Sequence, residues 1–167
     1  MAGGKGTMTD AGTRVPLIAS WPAGIKQPER VVDDLVEFCD LMPTLCEVTG
    51  ADLPLNYASD GTSIVPVRQN NASARKKDWI YIWYRGQVMV RNNQYSLLAK
   101  TDGSDASLTR YKGPFDGEKL KDYTLSQPES AIKQQFEATL ARLAKSRLLS
   151  VSNETRVKMQ KPKRNKK

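Results

Sequence analysis

The stretch WIYIWYRGQVMVRNNQYSLLAK, Trp79 to Lys100, decides the fold. Trp79–Tyr84 is rich in aromatic and β-branched residues, which fit a pleated, half-buried surface, so it predicts a strand. Arg85-Gly86-Gln87 reads as a turn and Val88–Arg91 as a second strand. Asn92-Asn93 is a tight-turn dipeptide that leads into a third strand, Gln94–Lys100. Three strands joined by short turns make an antiparallel sheet, and such a sheet needs a cover on one face.

Working outward toward the C-terminus, Asp102–Gly117 reads as a polar loop and Lys119–Leu125 as a weaker fourth strand. Ser126 with Glu129 three residues later has capping-box spacing. The helix it opens, running to about Leu149, places Ile132, Phe136, Leu140 and Leu143 on one face and supplies that cover. Toward the N-terminus, 68–77 is a polar run and the best internal boundary, and 51–77 is mostly loop. A short helix is predicted over 41–49, with Asp40 as N-cap, Pro43 in the first turn, Leu41, Leu45 and Val48 on one face, and Gly50 as the stop. Val31–Phe38 suits either a strand or a first helical turn. Val15–Trp21 reads as a strand apolar on both faces, which needs sheet neighbours that nothing nearby supplies. Residues 1–14, with Gly3, Gly4, Gly6 and Gly12, read as loop.

The composition excludes several classes of function. In 167 residues there are 26 basic and 18 acidic side chains, a net charge of +8, two cysteines and no histidine. Without histidine there is no Ser-His or Cys-His nucleophile and no His-based metal site. Two cysteines make no disulfide scaffold, and Cys39 and Cys46 alone form no structural zinc site; small buried hydrophobes is the plainer reading. No apolar run is long enough to span a membrane, and MAGGKGTMTD lacks the apolar stretch of a secretory signal. Seven basic residues and no acid follow Glu154, so the body is almost neutral. A nucleic-acid-binding domain carries its basic patch on the fold, so this class is disfavoured. Residues 151–167 are expected to be a disordered basic tail, with weak contact to a polyanion or a membrane surface as the sharper alternative. The acid pairs Asp33-Asp34 and Glu37/Asp40 suit a cation or acid–base work, and equally a solvated face or a cap. Asn71-Ala72-Ser73 and Asn153-Glu154-Thr155 fit the glycosylation pattern, which recurs by chance. In Gly3-Gly4-Lys5-Gly6-Thr7 a lysine sits among glycines: the backbone can approach a ligand and the ammonium can meet an anion, although GxxxxGK[ST] is not matched and a lysine in a flexible N-terminus is the plainer reading.

Several ordered motifs resemble the sulfatase family of the arylsulfatase and iduronate-sulfatase type. They are Gly4-Lys5-Gly6-Thr7; Gly12-Thr13-Arg14-Val15-Pro16-Leu17-Ile18 with Trp21-Pro22 and Ile25; Asp34-Leu35-Val36; and Asp40-Leu41-Met42-Pro43-Thr44-Leu45 with Gly50. They continue with Asp60-Gly61-Thr62-Ser63, Trp79–Tyr84, Val90-Arg91 with Tyr95, and Asp122-Tyr123-Thr124-Leu125 with Pro128-Glu129. The resemblance covers residues 3 to about 148. It implies the C-terminal part of an α/β, alkaline-phosphatase-like fold: the last elements of a large mixed sheet over 1–68, then a small antiparallel sheet with one packed helix over 69–150. It implies a sulfuric ester hydrolase acting on a sulfate ester, with calcium and a formylglycine in the parent enzyme, typically exported. By the resemblance Lys5 contacts the sulfate, Tyr84 and Arg85 approach the leaving group, and Arg14 takes no catalytic role. The formylglycine motif C/S-x-P-x-R is absent: Cys39 is followed by Asp40-Leu41, Cys46 by Glu47-Val48, and Ser126-Gln127-Pro128 by Glu129-Ser130. The expectation is therefore a C-terminal fragment, inactive alone and lacking its N-terminal sulfatase domain. The alternative is a non-catalytic module that binds an anionic partner such as a sulfated glycan.

Overall fold

The computed structural model describes residues 3–25, 29–54, 60–68, 77–113 and 116–148. The expected tail 151–167, both glycosylation patterns and most of the polar run at 68–77 lie outside these residues. The order is α1 (Asp10–Thr13), a 3-10 turn (Phe38–Asp40), α2 (Leu41–Thr49), α3 (Val65–Arg68), β1 (Ile80–Tyr84), β2 (Gln87–Arg91), β3 (Tyr95–Lys100), β4 (Ser107–Arg110), β5 (Glu118–Lys119), a second 3-10 turn (Asp122–Thr124) and α4 (Gln127–Leu148).

The five strands form an antiparallel meander in chain order. β1 and β2 pair from Ile80↔Arg91 to Tyr84↔Gln87, so the connection is the dipeptide Arg85-Gly86. The next turn sits one residue later than the Asn92-Asn93 reading. The Asn92 side chain accepts the N–H groups of Gln94 and Tyr95, and Asn92 donates its own N–H to the Tyr95 carbonyl. Asparagine opens this turn by mimicking backbone.

Alternation along the strands sorts the two faces. Val88, Val90, Leu97, Ala99 and Leu108 form one core with Phe136 and Leu140 of α4. Trp79, Tyr81, Ile132 and Leu125 pack around it, and the Arg142 guanidinium lies 5.7 Å from the Trp79 ring centre. The helix is therefore the predicted lid. Its cap differs in detail: Glu129 reaches back to the Ser126 N–H, but the Ser126 hydroxyl also donates to Glu129 instead of capping the helix backbone. On the other face Met89, Arg91 and Ser96 are also buried. There Arg91 pairs with Asp10 of α1 and its guanidinium stands 4.4 Å from the Tyr111 ring centre. The Tyr111 hydroxyl is hydrogen-bonded to Ser96.

Three readings need correction beyond the sheet core. Ser107–Arg110, inside the stretch taken as a loop, is a full strand that pairs with β3 and buries Leu108. Four residues amid polar neighbours carry too short an alternation to stand out; their partner across the sheet makes the strand. Of the expected strand 119–125 only the start lies along β4, as Glu118–Lys119 with Leu120 donating its N–H to the Leu108 carbonyl, and Asp122–Thr124 turns instead. Val15–Trp21 is not a strand either, and no strand precedes Ile80 among the described residues. An apolar run with no strand beside it does not become a sheet strand, and the Trp21 carbonyl instead accepts the Gly24 and Ile25 N–H groups in a turn.

Candidate functional site

Lys5 sits at the tip of a four-residue turn. Thr7 donates its N–H to the Gly4 carbonyl at 3.1 Å, its hydroxyl donates to the same carbonyl at 2.7 Å, and Gly4 N–H donates to that hydroxyl. Gly6 has φ 84°, the left-handed value that a type II turn requires at its third residue. The turn thus fixes the backbone with Thr7 and leaves the exposed Lys5 side chain outside it. Two contacts tie this turn to the sheet. The Asp10–Arg91 ion pair, shielded on both sides, anchors α1 just behind it. A Cβ placed on Gly6 would lie 3.4 Å from the Tyr84 hydroxyl, so the turn runs alongside the end of β1. Arg85 follows Tyr84, with its guanidinium 5.1 Å from the Tyr84 ring centre. The structure therefore brings the neighbourhood of Lys5 up to Tyr84 and Arg85.

A second polar cluster lies at the start of α2. Asp40, fully buried, does not cap that helix with its side chain. Its Oδ2 accepts the Glu37 N–H at 2.8 Å, and its Oδ1 accepts the Thr62 N–H at 2.8 Å and the Lys77 ammonium at 2.7 Å. Glu37 joins it: Oε2 lies 2.7 Å from Lys77 Nζ, and Oε1 accepts the Tyr81 N–H of β1. Thr44 of α2 accepts the Ile64 N–H. Gly61 packs so closely on the Cys39 carbonyl that a Cβ would sit 1.9 Å from its oxygen. The "D-x-x-P-T" and "D-G-x-S" motifs are thus two halves of one joint. Asp40 and Thr44 grip the backbone at 62 and 64, and Gly61 permits the approach. Burial works against ionisation of Asp40, but the Lys77 hydrogen bond and the Thr62 and Glu37 amides outweigh it and hold its pKa below the ordinary value of 3.8. Burial likewise opposes the Lys77 charge, and the hydrogen bonds to Asp40 and Glu37 overcome it, raising the pKa above 10.5.

Glu37, Cys39 and Asp40 are the cluster whose ligating atoms all lie within 4.8 Å of one another. It does not fit calcium, because the Lys77 ammonium already stands at the shared oxygens, where a cation would have to be. Burial first, then the Glu37 charge, push the Cys39 pKa above 9.0, so the thiol stays protonated. The acid pair Glu37/Asp40 serves as a cap and a joint. Cys39 and Cys46 are free and only half-buried, so neither is the buried small hydrophobe expected. Sequence reasoning missed Lys77, which lay at the end of a polar run, and the roles of Asp10 and Arg91. A buried pair of opposite charges far apart in sequence carries no local signal.

Several large apolar residues of the chain's first half are exposed, although Met8 and Val65 are buried. Ile18 and Val31 are each 90% exposed, Phe38 79% and Leu45 60%. Leu45 belongs to the α2 face expected to be buried. No helix among the described residues is long and apolar enough to cross a membrane.

Comparison with known proteins matches the same span. The family model described as N-sulphoglucosamine sulphohydrolase, C-terminal, matches residues 4–145. The chain is similar to human arylsulfatase A (36% identity over 111 residues, 64% of this chain and 21% of that protein). It is also similar to rat arylsulfatase K (27% over 150 residues, 81% of this chain and 26% of that protein). A crystal structure assigned to a sulfatase from Bacteroides thetaiotaomicron VPI-5482 superposes with TM-score 0.64 and 25% identity, covering 87% of this chain and 33% of that one. The chain spans about a fifth to a third of the length of these relatives. It has their mixed α/β, alkaline-phosphatase-like fold in its C-terminal part. The chain, whose matched motifs run in order from the Lys5 turn to α4, belongs to the C-terminal domain family of the sulfatases.

Proposed function

We propose that this chain is the C-terminal portion of a sulfuric ester hydrolase in which Lys5 contacts the sulfate of the substrate and Tyr84 and Arg85 line the side of its leaving alcohol. The observation that carries the reading is the approach of the Gly6 turn to Tyr84, whose hydroxyl would lie 3.4 Å from a Cβ placed on Gly6. It joins the one lysine of the glycine turn to the sheet end that holds an aromatic and a guanidinium. An ammonium beside sulfate oxygens stabilises the charge that grows as the S–O bond breaks. Lys5 binds and orients the ester; the phenol and guanidinium offer a donor and a cation to the alcohol portion. Calcium and formylglycine, which the family reading implies, would supply sulfate binding and the nucleophile. Among the described residues the Glu37–Cys39–Asp40 cluster does not fit calcium, and the sequence holds no C/S-x-P-x-R motif for a formylglycine, so no step through them is assigned to this chain. We also take 1–68 as the end of the large domain and 69–150 as the small one.

The exposed apolar residues Val15, Ile18, Val31 and Phe38 support a partner that is the rest of the sulfatase, with the sulfate ester as its substrate. The test is twofold. An antibody to residues 119–150 should detect, in source-cell extract, a protein several times heavier than 18.6 kDa. In that protein Lys5→Ala should cut aryl-sulfate kcat about a hundredfold. The 167-residue chain alone should show no turnover with calcium. Calcium-dependent turnover by the chain alone, lost in Lys5→Ala, would overturn the fragment reading. Unchanged kcat in the heavier protein would overturn the role of Lys5.

A further inference from the structure

Residues 3–14 fold as one body around the Lys5 turn. The Thr7 hydroxyl, already bonded to the Gly4 carbonyl, is also hydrogen-bonded to the Thr9 hydroxyl at 2.7 Å. The Thr9 carbonyl accepts the Gly12 and Thr13 N–H groups and the Thr13 hydroxyl, so the same residue ties the turn to α1. Gly12 of α1 packs against the turn itself. A Cβ there would stand 2.1 Å from the Thr7 carbonyl oxygen and 2.7 Å from that of Gly4. These are backbone atoms of the first and last residues of the turn, so α1 and the turn move together. Whatever fixes α1 also fixes the backbone from which the Lys5 side chain leaves.

Asp10, the first residue of α1, does this through Arg91 of β2, 81 residues away. Both side chains are buried. Arg91 is held from further sides: its guanidinium stands 4.4 Å from the Tyr111 ring centre, and its Nε donates to the Asn92 carbonyl at 3.4 Å. The ring is itself backed, because a Cβ on Gly117 would lie 2.7 Å from its edge. Its hydroxyl is hydrogen-bonded to Ser96 at 3.0 Å. A buried ion pair is a poor source of stability, since apolar side chains of similar volume often do as well or better. Among the described residues Asp10 Oδ2 is buried without a hydrogen-bond partner, which leaves part of its desolvation cost unrecovered. What the pair does supply is direction, because a guanidinium fixes where the carboxylate must sit.

We propose that Asp10 and Arg91 are positioning residues for the sulfate contact: their pair holds the glycine turn at one place on the sheet, and with it the origin of the Lys5 side chain. The lysine stem is flexible, so the position and direction of its Cβ are what the fold can set in advance. A misplacement of about 1 Å removes most of the value of such a contact. Neither residue touches the substrate, and no bond is made or broken by them. The inference rests on the reading of Lys5 as the sulfate-contacting group.

The experiment uses the 167-residue chain, isotope-labelled for NMR, with inorganic sulfate as the probe at one fixed ionic strength. Amide relaxation over residues 4–7 reads the order of the turn, the sulfate dependence of their shifts reads affinity, and Tm reads stability. Wild type is compared with Arg91→Lys, with the double variant Asp10→Leu, Arg91→Met, and with Lys5→Gln. In the double variant Tm should stay within about 3 °C of wild type, while the amides of 4–7 lose order and sulfate binds about tenfold more weakly. Arg91→Lys should recover part of both, since an ammonium keeps the charge without the fork. Lys5→Gln should weaken sulfate binding and leave the order of the turn unchanged. Unchanged order and affinity in the double variant overturn the proposal and leave Lys5 standing. A fall in Tm beyond that range would make the pair a structural one and overturn it as well. Lys5→Gln without effect on sulfate binding overturns the Lys5 reading, and the order of the turn then still tests the pair.

Discussion

Residues 79–148 and residues 15–53 carry large apolar side chains at similar density and use them in opposite ways. In the first region they turn inward: Val90, Leu97 and Leu108 are fully buried, and Phe136 and Leu140 close over them from α4. In the second, Ile18, Val31, Phe38 and Leu45 stand in solvent. The difference is one of partners. A meander brings each strand its neighbour through a short turn, and the helix that follows returns over the sheet. The earlier region offers segments without a sheet to join, so their backbone stays in loops and their side chains find no opposite layer. Polar contacts tie it to the rest: Glu37 and Asp40 on Lys77, and Glu37 on the Tyr81 N–H of β1.

The comparison breaks most directly at Phe136. If the sheet and α4 are a self-sufficient core, Phe136→Ala should cost about 3–5 kcal/mol in urea unfolding. A cost below about 1 kcal/mol would show that the core lies elsewhere.

Lys77 sharpens it. Lys77→Met leaves the buried Asp40 carboxylate without its cation and should cost about 3 kcal/mol. Amide exchange should rise over 37–64 before it rises in the sheet, because the joint and not the core has been cut. The pH dependence has a definite sign. Asp40 is held below its ordinary 3.8, so its contribution is present above that value and is lost as pH falls through the lower folded value. Lys77 is held above 10.5, so its contribution is present below that value and is lost as pH rises through the higher folded one. The gap in stability between wild type and variant should therefore be widest on the plateau between these limits and shrink on both sides. A gap independent of pH would mean that packing, not charge, was lost.

The smallest effect on stability is expected at Ile18. Ile18→Ser at a position 90% exposed should change unfolding free energy by less than about 0.5 kcal/mol. It should, however, reduce self-association in sedimentation, since an apolar contact surface has been removed. A large loss of stability would show that this segment already has a partner within the chain.

Much of the fold was legible in the sequence. The hairpin turn at 85–86, a second turn one residue from the Asn92-Asn93 reading, the short helix 41–49 with Gly50 at φ 71° after it, and the helical spacing of Ile132, Phe136 and Leu140 are local patterns. Local patterns are set by backbone preference and by alternation of apolar side chains, which act within a few residues. The ordered motifs likewise marked the chain as sulfatase-like, and placed Lys5, Tyr84 and Arg85 as candidates, because motif order is itself a property of sequence. Three things were decided only in three dimensions. Ser107–Arg110 became a strand because β3 offered it an edge. Val15–Trp21 did not become one because nothing did. Asp40 left its helix cap to receive Thr62 and Lys77, which a folded chain alone brings within hydrogen-bond reach. Strand pairing and buried ion pairs join residues far apart along the chain, and their free energy exists only once both partners have been brought together and water excluded.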